Sequence, residues 1–231
     1  MESMKGKLAY FTPGEWGLWL GSVGCILTAF FLFDGRDGLT LVASLLGVTS
    51  LIFNAKGNPF GQFLMVIFSL LYGMISWGFA YYGEMITYLG MTAPMALFAL
   101  IAWLRHPFRG NRAEVAVNRI SRREVGFMIL LSLLVTLLFW WILAFFGTAN
   151  LLPSTISVTT SFLAVYLTFR RSPWFALAYG ANDLVLILLW SMAALEEPRY
   201  LSVIVCFAAF LVNDLYGFFA WRRMEKRQRG V

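Results

Sequence analysis

Eight stretches of almost unbroken apolar residues alternate with short polar, Gly- or Pro-bearing connections. They run over residues 15–33, 38–53, 60–83, 85–104, 125–146, 151–169, 174–195 and 199–221. A bilayer core about 30 Å thick needs about 20 apolar residues in a helix to cross it. The pattern therefore predicts eight membrane-spanning helices, the second and sixth being short.

Composition agrees. The chain is 60% hydrophobic, 17% aromatic and 13% charged, where a soluble domain is about a quarter charged. The expectation is one transmembrane unit, residues 1–231, without a second soluble domain. The opening MESMKGK and the run WGLWLGSVGCILTAFFLF are read as a retained first helix rather than a cleaved leader.

The net charge of +6 reflects placement rather than nucleic-acid binding. Of the 18 Lys and Arg, all but Arg36 and Arg199 fall at the N-terminus, in the loops after spans two, four and six, or at the C-terminus. The positive-inside rule then puts both termini in the cytoplasm. The loop Arg105–Glu124 reads as a solvated basic linker, with a lipid-touching amphipathic helix as the alternative. Cys25 and Cys206 read as reduced packing residues, and His106 has no partners for a metal. No Walker loop or nucleophile–base pair appears, so neither catalytic residues nor a cofactor are expected.

An internal repeat emerges from the helix ends. Asn58-Pro59-Phe60 precedes the third span and Ser172-Pro173-Trp174 the seventh, the prolines standing 114 residues apart. A capping residue, a proline at the first helical position and an interfacial aromatic form a sound start for a membrane helix. Trp103 and Trp221 close the fourth and eighth spans, 118 apart. Residues 34–104 and 151–221 thus read as two three-helix units joined by a basic loop and linker helix, 105–150. A linker helix after an odd-numbered unit restores its orientation. The fold class is accordingly an all-α membrane protein with SWEET-like 3+1+3 parallel repeats plus one extra N-terminal helix.

Within the apolar spans lie two Asn-Asp pairs, Asn182-Asp183 and Asn213-Asp214. Each asparagine stands eight residues, about 12 Å, from a tryptophan at the basic side. Buried carboxyl groups are costly in lipid and face a bundle interior or a wet cavity. Tyr179, Asn182, Asp183 and Trp190 share one helical stripe; Asn213, Tyr216 and, at its edge, Asp214 share another. The third span offers Gln62, Tyr72 and Trp77. Aromatic walls with amides and carboxylates suit a planar heteroaromatic ring bearing a polar group, and a cationic ring above all. Helix-to-helix bonding and a proton relay are the competing uses of the same residues. Pro94 is expected to kink the fourth span. Tyr81-Tyr82-Gly83-Glu84 reads as an interface belt closing the third span, or the rim of an outer gate.

YYGEMITYLGMTAPM, SPW…ANDLVLILLW and FLVNDLYGFFAWRRM together resemble the PnuC family of bacterial vitamin transporters over roughly residues 38–226. The resemblance implies facilitated uptake of nicotinamide riboside, held between the repeats near the midplane and trapped by a separate kinase. It also implies a homotrimer among membrane lipids. Relatives that carry thiamine, riboflavin or deoxynucleosides remain open, as does proton coupling. Some members place a tryptophan one turn before the seventh-span asparagine, where this chain has Ala178. A lipid-modifying enzyme and a binding subunit served by an ATPase are the other function classes to separate from a carrier.

Overall fold

The computed structural model describes residues 10–35, 37–78, 82–148 and 150–230. Lys5, Lys7, Arg36 and Tyr81, used above for orientation and for the belt, lie outside the described residues. Among the described residues, eight helices are long and apolar enough to cross a membrane.

The first span is α1 (Pro13–Ala29), continued by the π-helical turn Phe30–Asp34. It is followed by α2 (Gly38–Ala55) and α3 (Pro59–Gly78). The fourth is α4 (Tyr82–Thr87), a π-helical turn Tyr88–Thr92, and α5 (Ala93–Arg105). Then come α6 (Arg122–Phe145), α7 (Leu151–Phe169), α8 (Phe175–Ala194) and α9 (Leu201–Arg229).

Local chemistry sets these boundaries. Thr12 and Glu15 form a reciprocal capping box on α1, with Pro13 in its first turn. Asp37 caps α2, Asn58 Oδ1 accepts the Phe60 N–H at α3, and Ser121 caps α6. Ser172 behaves differently from the expectation: Pro173 and Trp174 form a turn, and the helix begins at Phe175. Proline lacks an N–H and crowds the carbonyl four residues back. The fourth span answers Pro94 with the wide π turn just before it, so the expected irregularity is present. The last helix runs past residue 221 to Arg229, where Glu225 pairs with Arg222 and Arg229 one turn away on either side.

Helix neighbours close a ring. α2 packs on α3, α3 on α5, α5 on α7, α7 on α8, α8 on α9, and α9 back on α2. The α2–α9 junction is tight: a Cβ at Gly47 would sit 2.3 Å from the Phe210 ring. Outside the ring, α6 packs on α7 and α1 on α9 and α2. These two outer helices are the least buried of the spans, as lipid-facing elements should be.

The long basic loop departs from both sequence readings. Pro107–Phe108 (β1) and Asn111–Val115 (β2) form an antiparallel hairpin, with Arg109 and Gly110 both at positive φ in its two-residue turn. This hairpin and the segment after it are docked rather than solvated. Val115 is fully buried in a cluster with Trp103, Phe175 and Trp221.

Candidate functional site within the helix ring

The end of the ring that gathers Lys56, Arg105, Arg170 and Arg222 is tightly closed. Trp103 Nε1–H donates to the Thr168 carbonyl at 2.9 Å, and Trp221 Nε1–H donates to the Asn54 carbonyl at 2.7 Å. The two indoles lie 5.3 Å apart and are fully buried. Donors 118 residues apart thus reach acceptors 114 apart, each crossing to the other half of the ring. The turns beyond the acceptors also match. Gly57 N–H donates to Asn54 and Arg171 N–H to Thr168, both at 2.9 Å, and both residues have positive φ.

The segment after the hairpin bridges these turns. Val115 N–H donates to the Gly57 carbonyl at 2.9 Å and Asn118 N–H to the Arg171 carbonyl at 3.0 Å. Glu114 pairs with Arg227, Arg119 with Glu225, and Glu124 with Arg170. A cleft of about 550 Å³ opens beside this strap, lined by Tyr10, Glu15, Lys56, Glu114, Tyr216 and Arg223 among others. Tyr216 belongs to it: its hydroxyl donates to Glu15 Oε1 at 3.0 Å, and Lys56 holds the other carboxylate oxygen at 3.2 Å. Tyr216 is therefore drawn toward α1 and away from the ring interior.

Deeper in, α8 and α9 bring Asp183 and Asp214 together. Both are buried and their carboxyl groups meet side by side, with Asp183 Oδ2 left unpartnered. Tyr179 stands beside this pair, its ring also edge-on to Phe175. The two asparagines do not meet. Asn182 Oδ1 accepts from Thr160 at 2.9 Å, Ser161 at 3.0 Å and Ser157 at 3.3 Å, all on α7. Asn213 Nδ2–H donates to Ser22 Oγ of α1 and to the Ala209 carbonyl, both at 2.8 Å, while its Oδ1 is buried and unpartnered. Neither faces lipid, yet each amide ties its own helix to a neighbour. Gln62 donates to Asn54 Oδ1 at 2.8 Å and keeps a buried, unpartnered Oε1.

The half of the ring away from the basic end is an aromatic box. Trp190 Nε1–H donates to the Tyr72 hydroxyl at 2.8 Å, and Tyr72 lies 4.4 Å from Tyr88 and 5.7 Å from Phe207 between ring centres. Of the aromatic residues expected from the sequence, Tyr72 and Trp190 lie in this box, with Phe68, Tyr88 and Phe207 beside Tyr72. The space among Ser44, Phe68, Tyr72, Trp190, Cys206 and their neighbours is about 10 Å³, scarcely one water. Trp77 takes no part: it is 65% exposed. One residue further along a helix turns about 100°, so buried Ser76 points inward and Trp77 outward.

Glu84 also departs from the sequence expectation. Glu84 does not close the third span at the surface; it is buried in α4, 5% exposed, against Ser157 of α7. The signal was available. Glu84, Thr87, Tyr88, Met91 and Thr92 follow the i, i+3, i+4, i+7, i+8 spacing of one helix face, and all five are buried.

Comparison with known proteins accounts for this arrangement. Residues 37–223 match the family model described as nicotinamide mononucleotide transporter. The chain belongs to the PnuC family of membrane transporters. Among curated PnuC proteins, the nicotinamide riboside transporter of Neisseria mucosa is 26% identical over 218 residues, covering 92% of this chain and 82% of that protein. That of Haemophilus influenzae is 25% identical, covering 82% and 81%. A solved structure titled as the vitamin B3 transporter PnuC superposes with a TM-score of 0.83 at 23% identity, over 94% of each chain; this likeness concerns the fold. The PnuC family match begins at Asp37, the cap of α2, and thus takes in the whole six-helix ring together with α6.

Proposed function

We propose that the chain carries nicotinamide riboside across the bacterial inner membrane by facilitated diffusion. The solute is taken between two parallel three-helix repeats, α2–α5 and α7–α9, joined by the loop and linker helix of residues 105–150 in a SWEET-like 3+1+3 plan, with α1 added. Support for the repeats comes from the reciprocal Trp103–Thr168 and Trp221–Asn54 bonds and from the closed ring. Support for the substrate comes from the curated relatives' names and from the box chemistry: aromatic faces for a ring, carboxyl groups for a cation and ribose hydroxyls.

The observation that carries the reading is the burial of Asp183, Asp214, Tyr72, Tyr88 and Trp190 inside the ring, with about 10 Å³ of space beside Tyr72 and Trp190. A site so closed must reopen to one side at a time, which is alternating access. The basic end faces the cytoplasm, by the distribution of Lys and Arg. Both termini then lie inside, and the strap and paired tryptophans form the cytoplasmic gate, shut in this state. A cytoplasmic kinase would trap the solute by adding a charge that the box does not accommodate. The protein assembles as a homotrimer, as its family resemblance implies.

The test is uptake of labelled nicotinamide riboside by purified protein in liposomes without ATP or ion gradients. The reading expects filling to equal inside and outside concentrations. No uptake, or uptake of thiamine, riboflavin or thymidine instead, overturns the substrate assignment. The meeting of Asp183 and Asp214 favours one second reading, proton coupling. Accumulation driven by an imposed proton gradient, abolished when the gradient collapses, would establish it.

A further inference from the structure

We propose that Glu84 is the charge-selecting residue of the site, giving the carrier its preference for a solute whose heteroaromatic ring carries a positive charge. This rests on the vitamin-carrier reading and goes beyond it. Among the described residues three glutamates are buried: Glu15, Glu84 and Glu225. Glu15 is held by Lys56, and Glu225 by Arg119, Arg222 and Arg229. Glu84 takes part in none of the ion pairs among the described residues, and its Oε2 is buried without a partner. Asp183 and Asp214 differ again, because each has the other.

A buried carboxylate without a counter-charge is costly, and a cationic guest removes that cost. The surroundings of Glu84 fit such a guest. Its electrostatic neighbours are Tyr72 and Tyr88, whose rings stand 4.4 Å apart. Tyrosine faces attract a cation independently of the carboxylate. Ser157 fixes the other side: its hydroxyl lies in reach of Glu84 and also donates to Asn182 Oδ1 at 3.3 Å. Ser157 has one proton to give, so it reaches at most one Glu84 oxygen, and Oε2 remains without a partner. Glu84 is carried on α4, immediately before the π turn that Pro94 enforces. Movement of that turn would swing the carboxylate relative to Trp190, which is bonded to Tyr72.

The test compares nicotinamide riboside with its 1,4-dihydro form, which has the same ribose and amide but a neutral ring. Affinities are measured by calorimetry on the full chain in detergent. The unaltered protein is expected to prefer the cationic form by roughly tenfold or more, the scale of a desolvated charge contact. Glu84→Gln should remove that preference through weaker binding of the cation, with the neutral form changed less than about twofold. Glu84→Asp keeps the charge and should keep the preference, so it serves where the glutamine variant does not fold. Equal binding of both forms by the unaltered protein overturns the proposal without any variant. A preference that persists in Glu84→Gln, or an equal loss for both forms, also overturns it. Should the unaltered protein bind neither form, the vitamin reading fails and Glu84 falls with it.

Discussion

The two halves of the helix ring are built on opposite plans. At the basic end most buried polar groups have partners, Gln62 Oε1 and Trp16 Nε1 excepted: the Trp103 and Trp221 indoles donate to carbonyls, both turns are bonded to the strap, and Glu225 is surrounded by arginines. Toward the other end, Glu84 Oε2, Ser76 Oγ, Thr92 Oγ1 and Asp183 Oδ2 are buried with none. A satisfied network holds one geometry, whereas unsatisfied groups lower the stability of the state that buries them. The first half is held by many such bonds; the second buries more groups that have none.

The largest effect should follow from breaking the carboxyl pair. Asp183→Leu leaves the Asp214 carboxyl buried without its neighbour, a cost of about 1–3 kcal/mol. Uptake into liposomes should fall by up to about a hundredfold, with Asp183→Asn retaining part of it. Near-normal uptake by Asp183→Leu would mean the pair lies off the path. Asn182→Leu and Asn213→Leu should each weaken nicotinamide riboside binding by about tenfold while membrane insertion is kept. Undiminished calorimetric affinity in both would leave these amides as helix ties alone.

The basic end should respond in stability rather than affinity. Trp103→Phe and Trp221→Phe each remove one hydrogen bond of about 1 kcal/mol. Together they should lower the melting temperature by about 4–8 °C, in equal shares if the two crossings are equivalent. A loss confined to one of them would break the proposed symmetry. The smallest effects belong to exposed groups. Glu114→Gln with Arg119→Gln should cost under about 1 kcal/mol, because pairs with an exposed partner are screened. Trp77→Ala should leave affinity unchanged in the same calorimetric assay.

Much of this was legible in the chain. Hydropathy located all eight spans, because lipid imposes a length that sequence must satisfy. Pro59 and Trp103 stand at helix ends as expected, whereas the helix of Trp221 runs on to Arg229. What failed depended on partners distant in sequence. Glu15 pulls Tyr216 toward α1, and no periodicity in α9 reveals that. The strap lacks hydrophobic alternation, and its strands are fixed by the Gly57 and Arg171 carbonyls instead. Glu84 belongs to α4, at the start of the fourth span, where it is buried rather than part of a surface belt. Trp77 was counted inward because a wide arc was allowed on α3.

The central claim is that the solute ring lies against Trp190 inside the helix ring. Ligand-dependent quenching of tryptophan fluorescence tests it most directly, in the unaltered chain and in Trp190→Phe. The account predicts quenching by nicotinamide riboside that Trp190→Phe abolishes, with calorimetry still registering binding. Quenching of the same depth in Trp190→Phe would place the ring against another of the 9 tryptophans and contradict the site.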